Sequence, residues 1–228
     1  MIGNGEIISY LEMCQEEEIN LQRGMNYHIK GSYSIVLMSR RQNAPYADKI
    51  LKKGQILLYE GHDLSKKHTK SNPKSVDQPM RTPNGTLTQN GKFFEAAIQS
   101  KTDSSLIELV KVYEKLHAGV WVYNGLFKLA DAFVEKSNNR KVFKFRLELT
   151  NLFLNQAETN LDHNRLIPSK VKQEVWKRDQ GMCIECGSKD NLHFDHIIPF
   201  SKGGSSLVAE NVQILCARHN LAKRDSII

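Results

Sequence analysis

The sequence predicts an α+β protein: a predominantly antiparallel, curled or closed β domain with flanking helix, followed by a small metal-stapled unit. Three observations carry this. Residues 143–149 alternate, with Phe143, Phe145, Leu147 and Leu149 on one side and Lys144, Arg146 and Glu148 on the other. That is the period of a strand with one buried face. Earlier runs at 33–38, 55–59, 110–116 and 120–129 are rich in strand formers. Finally, two donor pairs, Cys183-x-x-Cys186 and Cys216-x-x-His219, bracket a short apolar segment near the C-terminal end.

Taken in order, residues 5–20 place Ile7, Ile8, Leu11 and Cys14 at helical spacing, ahead of the acidic Glu16 to Glu18. The strand at 33–38 runs into an Arg/Asn/Pro loop, and the one at 55–59 is closed by Glu60-Gly61. Residues 61–92 are polar and punctuated by Pro73, Pro79, Pro83, Asn84-Gly85 and Asn90-Gly91. They read as a long functional excursion rather than core. Within 120–129, Asn124-Gly125 separates two apolar runs, a hairpin signal. A polar shift over 155–164 marks a boundary, giving a β domain over 1–152, a linker over 153–168 and a second unit over 169–228. Pro168-Ser169 opens a short helix whose Val171, Val175 and Trp176 pack on that unit. There is no internal repeat.

Composition narrows the partners. The 228 residues are 40% hydrophobic and carry 32 Lys+Arg against 25 Asp+Glu, a formal charge of +7. Between Arg40 and Lys74 nine basic residues face three acidic ones, a phosphate-contacting pattern once a nucleic-acid chemistry is in view. Four cysteines, three of them in ligand positions, do not suggest a secreted disulfide scaffold, and Cys14 reads as a small buried residue. No leader-like segment or membrane-length apolar run is present, so a cytosolic protein with no membrane partner is expected.

The two donor pairs suit a tetrahedral Zn²⁺ ion. Four protein ligands close the site, which makes it structural and a source of folding energy for a unit too small to rely on its core. Between the pairs, Asp195-His196 sits in the apolar run 194–200. A charged pair there is costly unless it has a task. Phosphodiester hydrolysis requires a base for water and a cation at the leaving oxygen. His196 fits the base, and Asp195 fits a ligand of a Mg²⁺-like ion. Asn220, beside the last zinc donor, can complete that ion's protein ligands.

With Asp-His-Ile-Ile-Pro-Phe-Ser-Lys-Gly-Gly, Asn211 and Leu-Cys-x-x-His-Asn-x-x-Lys in view, the segment resembles an HNH endonuclease of the ββα-metal class. The resemblance covers about 55 residues at the C-terminal end. It implies His196 as general base, Asp195 and Asn220 as ligands of catalytic Mg²⁺ or Mn²⁺, and Asn211 as a loop brace. Two departures bear on metal preference: Asn220 ends the motif, and His219 stands where Cys is commoner. Lys223 is a candidate phosphate contact, and His193, two residues before Asp195, a lesser catalytic candidate.

Gly31-Ser-Tyr-Ser-Ile-Val-Leu37, Tyr59-Glu-Gly61, Asp77-Gln78, Asn84-Gly-Thr-Leu87, Tyr123-Asn-Gly-Leu-Phe-x-Leu129 and Phe145-Arg-Leu147 resemble, in that order, the SRA domain. The resemblance implies a PUA-like curved β-barrel over residues 20–150 that flips 5-methylcytosine or 5-hydroxymethylcytosine out of a duplex. Tyr46 and Tyr59 are then the stacking candidates, with Asp48 and Glu60 as acceptors for an exocyclic amino group. Glu60 replaces the family's usual Thr, and the spacing from Asp48 to Tyr59 is longer than usual. Arg40, Arg41, Lys66, Lys67 and Arg81 are candidate DNA-backbone contacts. The combined reading is a modification-dependent DNA endonuclease acting on double-stranded DNA as a homodimer, leaving 5′-phosphate and 3′-hydroxyl ends. The alternatives are a non-catalytic reader with a structural zinc unit and a nuclease for unmodified or branched DNA.

Overall fold

The computed structural model describes residues 2–65, 69, 71–137, 139–150, 166–199, 202–224, 226 and 227. Lys66, Lys67 and the predicted linker up to residue 165 lie outside these. The N-terminal segment opens with strand β1 (Ile7–Ser9) and only then helix α1 (Tyr10–Glu16). Helix was expected from residue 5. The difference comes from Ser9, whose side chain accepts from Glu12 N while Glu12 returns to Ser9 N, a capping box that fixes the start of α1.

Strands β2 (Met25–Ile29), β3 (Tyr33–Met38), β4 (Lys49–Leu51), β5 (Ile56–Glu60), β6 (Leu109–His117), β7 (Val120–Ser137) and β8 (Arg140–Leu149) form one curved sheet in the order β2-β3-β6-β7-β8-β5-β4. Every pairing is antiparallel except β3 with β6. β7 is its spine. β6 lines one side, while β1 and then β8 share the other. The predicted hairpin at Asn124-Gly125 does not form. β7 runs straight through, and the chain reverses at Gly119, in the left-handed region at φ 75°, between His117 and Val120. Gly125, at φ 105°, marks a bulge where the β6–β7 register shifts.

Helix α2 (Gln89–Thr102) was not expected. Thr88 caps it by accepting from Gly91 N, and Phe93, Ala96 and Ala97 pack into the sheet's core with Val110, Phe127 and Phe145. Asn90-Gly91 reads locally as a turn, but Gly91 is there for proximity: a Cβ would collide with the Met80 carbonyl.

The C-terminal unit is compact and follows the expected ββα order. Helix α3 (Ser169–Arg178) leads to β9 (Leu192–His196), β10 (Val212–Cys216) and α4 (Ala217–Lys223), with β9 and β10 paired antiparallel. Its core joins Val171, Val175, Phe194 and Ile214 to Leu116 and Val122 of the large sheet. The chain's N-terminal segment stitches the two sheets together. Gly5 and Glu6 exchange backbone bonds with Tyr123 on β7, and the Gly5 carbonyl accepts from Phe194 N of β9 at 3.1 Å.

Beneath this seam lies a closed polar triad. Lys172 Nζ donates to Glu114 Oε2 at 2.8 Å and to Asn124 Oδ1 at 2.5 Å, and Asn124 Nδ2 donates to Glu114 Oε2 at 3.0 Å. Burial alone would raise the Glu114 carboxyl; Lys172 and Asn124 hold it below its ordinary value. Its contribution to stability is therefore full above the ordinary pKa of 4.5 and lost as pH falls through the lower folded value. Lys172→Met strands the carboxylate and is expected to cost about 3–5 kcal/mol in urea unfolding at neutral pH. Lys172→Met/Glu114→Leu should recover part of it, since the buried Asn124 amide still loses both partners. An unchanged midpoint for the single variant would remove the triad as a support of the seam.

Candidate metal and nuclease centres and the β-domain cleft

The metal-type cluster is built by two tight turns. The chain between Met182 and Ser188 folds so that Gly187 N donates to the Cys183 carbonyl and Cys183 N to the Ser188 carbonyl, presenting Cys183 and Cys186 together. Cys216 ends β10 and caps α4, which places His219 one helical turn on. The four donor atoms lie within 4.8 Å of one another, with Cys183 Sγ 3.3 Å and Cys216 Sγ 3.6 Å from His219 Nδ1. Burial pushes the Cys183 thiol up, but His219 and backbone N–H groups outweigh it and hold it at about 6. Three thiols and one imidazole at this separation fit a single tetrahedral metal ion.

The second centre sits on the opposite end of the same ββα frame. Asp195 pairs across the sheet with Gln213, whose Nε2 donates to Asp195 Oδ2 at 3.2 Å. His196 ends β9, and its Nε2 lies 2.8 Å from the hydroxyl of buried Ser206. Asn211 spends its amide on the loop after β9: Oδ1 accepts from Ile198 N at 2.8 Å, and Nδ2 donates to the carbonyls of Ile198 and Ser205 at 3.0 Å each. Gly204 lets the loop close, because a Cβ there would run into the Ile198 carbonyl.

Asn220 lies on α4, one turn before Lys223 and next to His219. Lys223 departs from the phosphate contact expected of it. Its side chain is 1% exposed, paired with Asp195 Oδ2 at 3.0 Å and donating to the His196 carbonyl at 2.6 Å. Its charge serves the site from within. His193 faces the N-terminal segment through a bridge to Glu6, and burial lowers its pKa against the pull of Glu6 and Asp195.

In the β domain, two clefts of about 480 and 730 Å³ share Ser39, Arg41, Pro45, Tyr46 and Asp48. Both are of ligand-binding size. Asp48 is held by backbone, accepting from Glu60 N at 3.0 Å and Ser39 N at 3.3 Å, while burial drives its carboxyl up to about 7. Tyr46 is half-buried and stacks on His62. Tyr59, expected to stack as well, is a core residue at 1% exposure, its hydroxyl donating to the Gly24 carbonyl.

Glu60 differs from expectation too. It is buried, and its Oε2 takes Lys144 Nζ at 2.8 Å and Ala47 N at 3.3 Å, with Arg140 3.6 Å from Oε1. Its acceptors are occupied by the protein's own cations. Arg40 and Arg41 line the smaller cleft. Arg81 is exposed but bonded to the Gly85 carbonyl and Glu95. Sequence reading missed Ser206, Gln213, His62 and Arg140. None belongs to a recognisable spacing, and each enters through folding.

Comparison with known proteins agrees with this layout. Residues 11–151 match the family model of the SAD/SRA domain, and residues 183–226 match that of the HNH endonuclease. The chain belongs to the SAD/SRA domain family and carries an HNH endonuclease domain behind it, which makes it a DNA endonuclease. No curated protein matches the chain. Among solved structures, the SUVH5 SRA domain in complex with fully methylated CG DNA matches at 19% identity and a TM-score of 0.46, over 66% of this chain and 90% of that one. The complex of the same domain with fully hydroxymethylated CG DNA matches at 19% and 0.44, over 63% and 85%. The modification-dependent TagI restriction endonuclease matches at 16% and 0.42, over 96% and 76%.

Purified protein is expected to hold one tetrahedral transition-metal ion per chain by elemental analysis. Cys216→Ser should lose that ion and lower the melting temperature, as should a strong chelator. Full metal content in the variant would show that the cluster is not the site.

Proposed function

We propose that this protein is a modification-dependent DNA endonuclease. Its β domain takes a flipped 5-methyl- or 5-hydroxymethylcytosine at the cleft beside Tyr46 and Asp48, and its HNH unit hydrolyses phosphodiester bonds nearby. The observation that carries this reading is the Asp195-His196 pair, set at the end of β9 and beside a loop held shut by Asn211, in a unit that shares a hydrogen-bonded border with the SRA sheet.

The Cys183, Cys186, Cys216 and His219 cluster is read as a structural zinc site. Its donors are soft or borderline, and all four positions are filled by protein. Asp195 and Asn220 offer hard oxygen donors, which suits Mg²⁺ or Mn²⁺, ions that keep most of their water and need few protein ligands. Such an ion supplies Lewis-acid stabilisation of charge on the leaving oxygen. His196, oriented by Ser206, takes the proton of the attacking water. The new bond forms from that oxygen to phosphorus, the bond from phosphorus to the 3′-oxygen breaks, the departing 3′-oxygen takes a proton from solvent water, and the ends are 5′-phosphate and 3′-hydroxyl. Lys223 fixes both the Asp195 carboxylate and the backbone carbonyl of His196. Opening both strands takes two such centres, so two copies act on one duplex. The setting is the cytosol.

The test uses matched plasmids carrying cytosine, 5-methylcytosine or 5-hydroxymethylcytosine, with Mg²⁺ or Mn²⁺ added. Cutting confined to modified plasmids is expected; equal cutting of all would sink the reading. His196→Ala should lower cleavage by at least about 10²-fold, the scale of a lost general base. Binding of modified duplex should stay within twofold of wild type.

A further inference from the structure

The cleft contains a ring that neither the family match nor the nuclease chemistry uses. His62 stacks on Tyr46 with ring centroids 5.0 Å apart and planes 12° from parallel, and lies 6.2 Å from the Tyr59 ring. Its Nε2 is 3.0 Å from the Tyr59 hydroxyl. A flat, nitrogen-bearing ring on an aromatic face is what a pyrimidine would present there.

The surroundings let this ring leave without unmaking the pocket. The backbone of His62 is clamped on both sides by the Asn90 amide, through His62 N to Oδ1 and Nδ2 to the His62 carbonyl, each at 2.8 Å. Tyr59 keeps other partners for its hydroxyl, the carbonyls of Gly24 at 3.0 Å and Leu37 at 3.4 Å. Tyr46 is held independently: its hydroxyl accepts from Asp63 N, and the Lys74 ammonium, itself paired with Asp63, lies 4.0 Å from its ring centroid. His62 borders the larger cleft, which gives the side chain space to turn into. Fixed backbone, replaceable bonds and a neighbouring void describe a movable ring on an immovable stem.

We propose that the imidazole of His62 is a placeholder for the flipped base, filling the stacking slot on Tyr46 so that a base enters only by displacing it. His62 then sets the threshold for entry to the slot: any incoming ring must out-compete an internal one. This rests on the base-flipping reading of the cleft, and the experiment separates the two.

Displacement also carries a proton. In the slot, burial, with Lys74 and Arg23, lowers the His62 pKa to about 4 against the opposing pull of Asp63; Tyr46, Tyr59, Asn90 and Asp48 complete its surroundings. Turned out into water, an imidazole titrates near its ordinary value of about 6.5. Between those values protonation favours the displaced ring, so base binding strengthens as pH falls. Asp48 titrates in the same range, and its contribution is common to wild type and His62 variants.

The experiment measures fluorescence anisotropy without divalent ions, on duplexes carrying one 5-methylcytosine or none. His62→Ala is expected to bind the 5-methylcytosine duplex about three- to tenfold tighter, the scale of one stacked pair, with no loss of selectivity. His62→Phe, which keeps a ring that cannot take a proton, should bind modified DNA more weakly than wild type. It should also lack the gain of up to about tenfold between pH 7.5 and 5.5 that wild type shows beyond it. Weaker binding of modified DNA by His62→Ala would overturn the proposal by making His62 a wall of the pocket. Tyr46→Ala tests the underlying reading: if it keeps wild-type selectivity, the cleft is not the base pocket, whatever His62 does.

Discussion

A single buried ammonium joins the two halves of this protein. Lys172 of α3 reaches into the large sheet, and its charge is met by Glu114 of β6 and Asn124 of β7, which also bond each other. Such a triad is stable only when complete, since any one member alone leaves an unpaired group away from water. Completeness requires α3 to lie at one place on the sheet. With α3 fixed, Val171 and Val175 close over Leu116 and Val122, and the backbone of Gly5 and Glu6 can bond Tyr123 on one side and Phe194 on the other. The seam is thus polar at its heart, apolar around it and hydrogen-bonded along its rim.

The nuclease unit depends on a second economy of parts. Cys216 ends β10, caps α4 and supplies a metal donor, so one residue sets the angle between strand and helix. That angle decides where Lys223 reaches, and Lys223 ties the carboxylate of Asp195 to the backbone of His196. The metal-type cluster therefore reaches Asp195 and His196 through a helix rather than through direct contact. Asn211 performs the matching task on the other flank by tying Ile198 to Ser205 with its amide.

How much of this the sequence made legible follows from the range of the interactions. Strands β3, β5, β6, β8 and the first half of β7, with the ββα unit, were readable because alternation and donor spacing are local, whereas β1 was read as helix and the short β2 and β4 were not read at all. Helix α2 was not, since Gln89-Asn90-Gly91 is a poor helix start on propensity, and its form is decided by Thr88 and by the closeness of Met80. Asn124-Gly125 misled for a related reason. The dipeptide is a turn signal in isolation, yet Asn124 is a corner of the buried triad and Gly125 a bulge. At the sites, motif residues lie where their spacing puts them, whereas their partners come from distant segments. Ser206, Gln213 and His62 acquire meaning only when folding brings them beside His196, Asp195 and Tyr46. Glu60 and Lys223 show the converse: charges that look available in the sequence are already neutralised by neighbours.

The backbone bonds between Gly5, Tyr123 and Phe194 have a metrical consequence. A cutter tethered by flexible chain samples a range of positions, and its products scatter. A cutter whose strand is sewn to the reader's sheet holds His196 at one offset from the cleft, whatever the length of the segment in between. On the proposed function, the distance from modified base to broken bond is then a property of the folded body, a ruler whose graduations are strand spacings rather than linker residues.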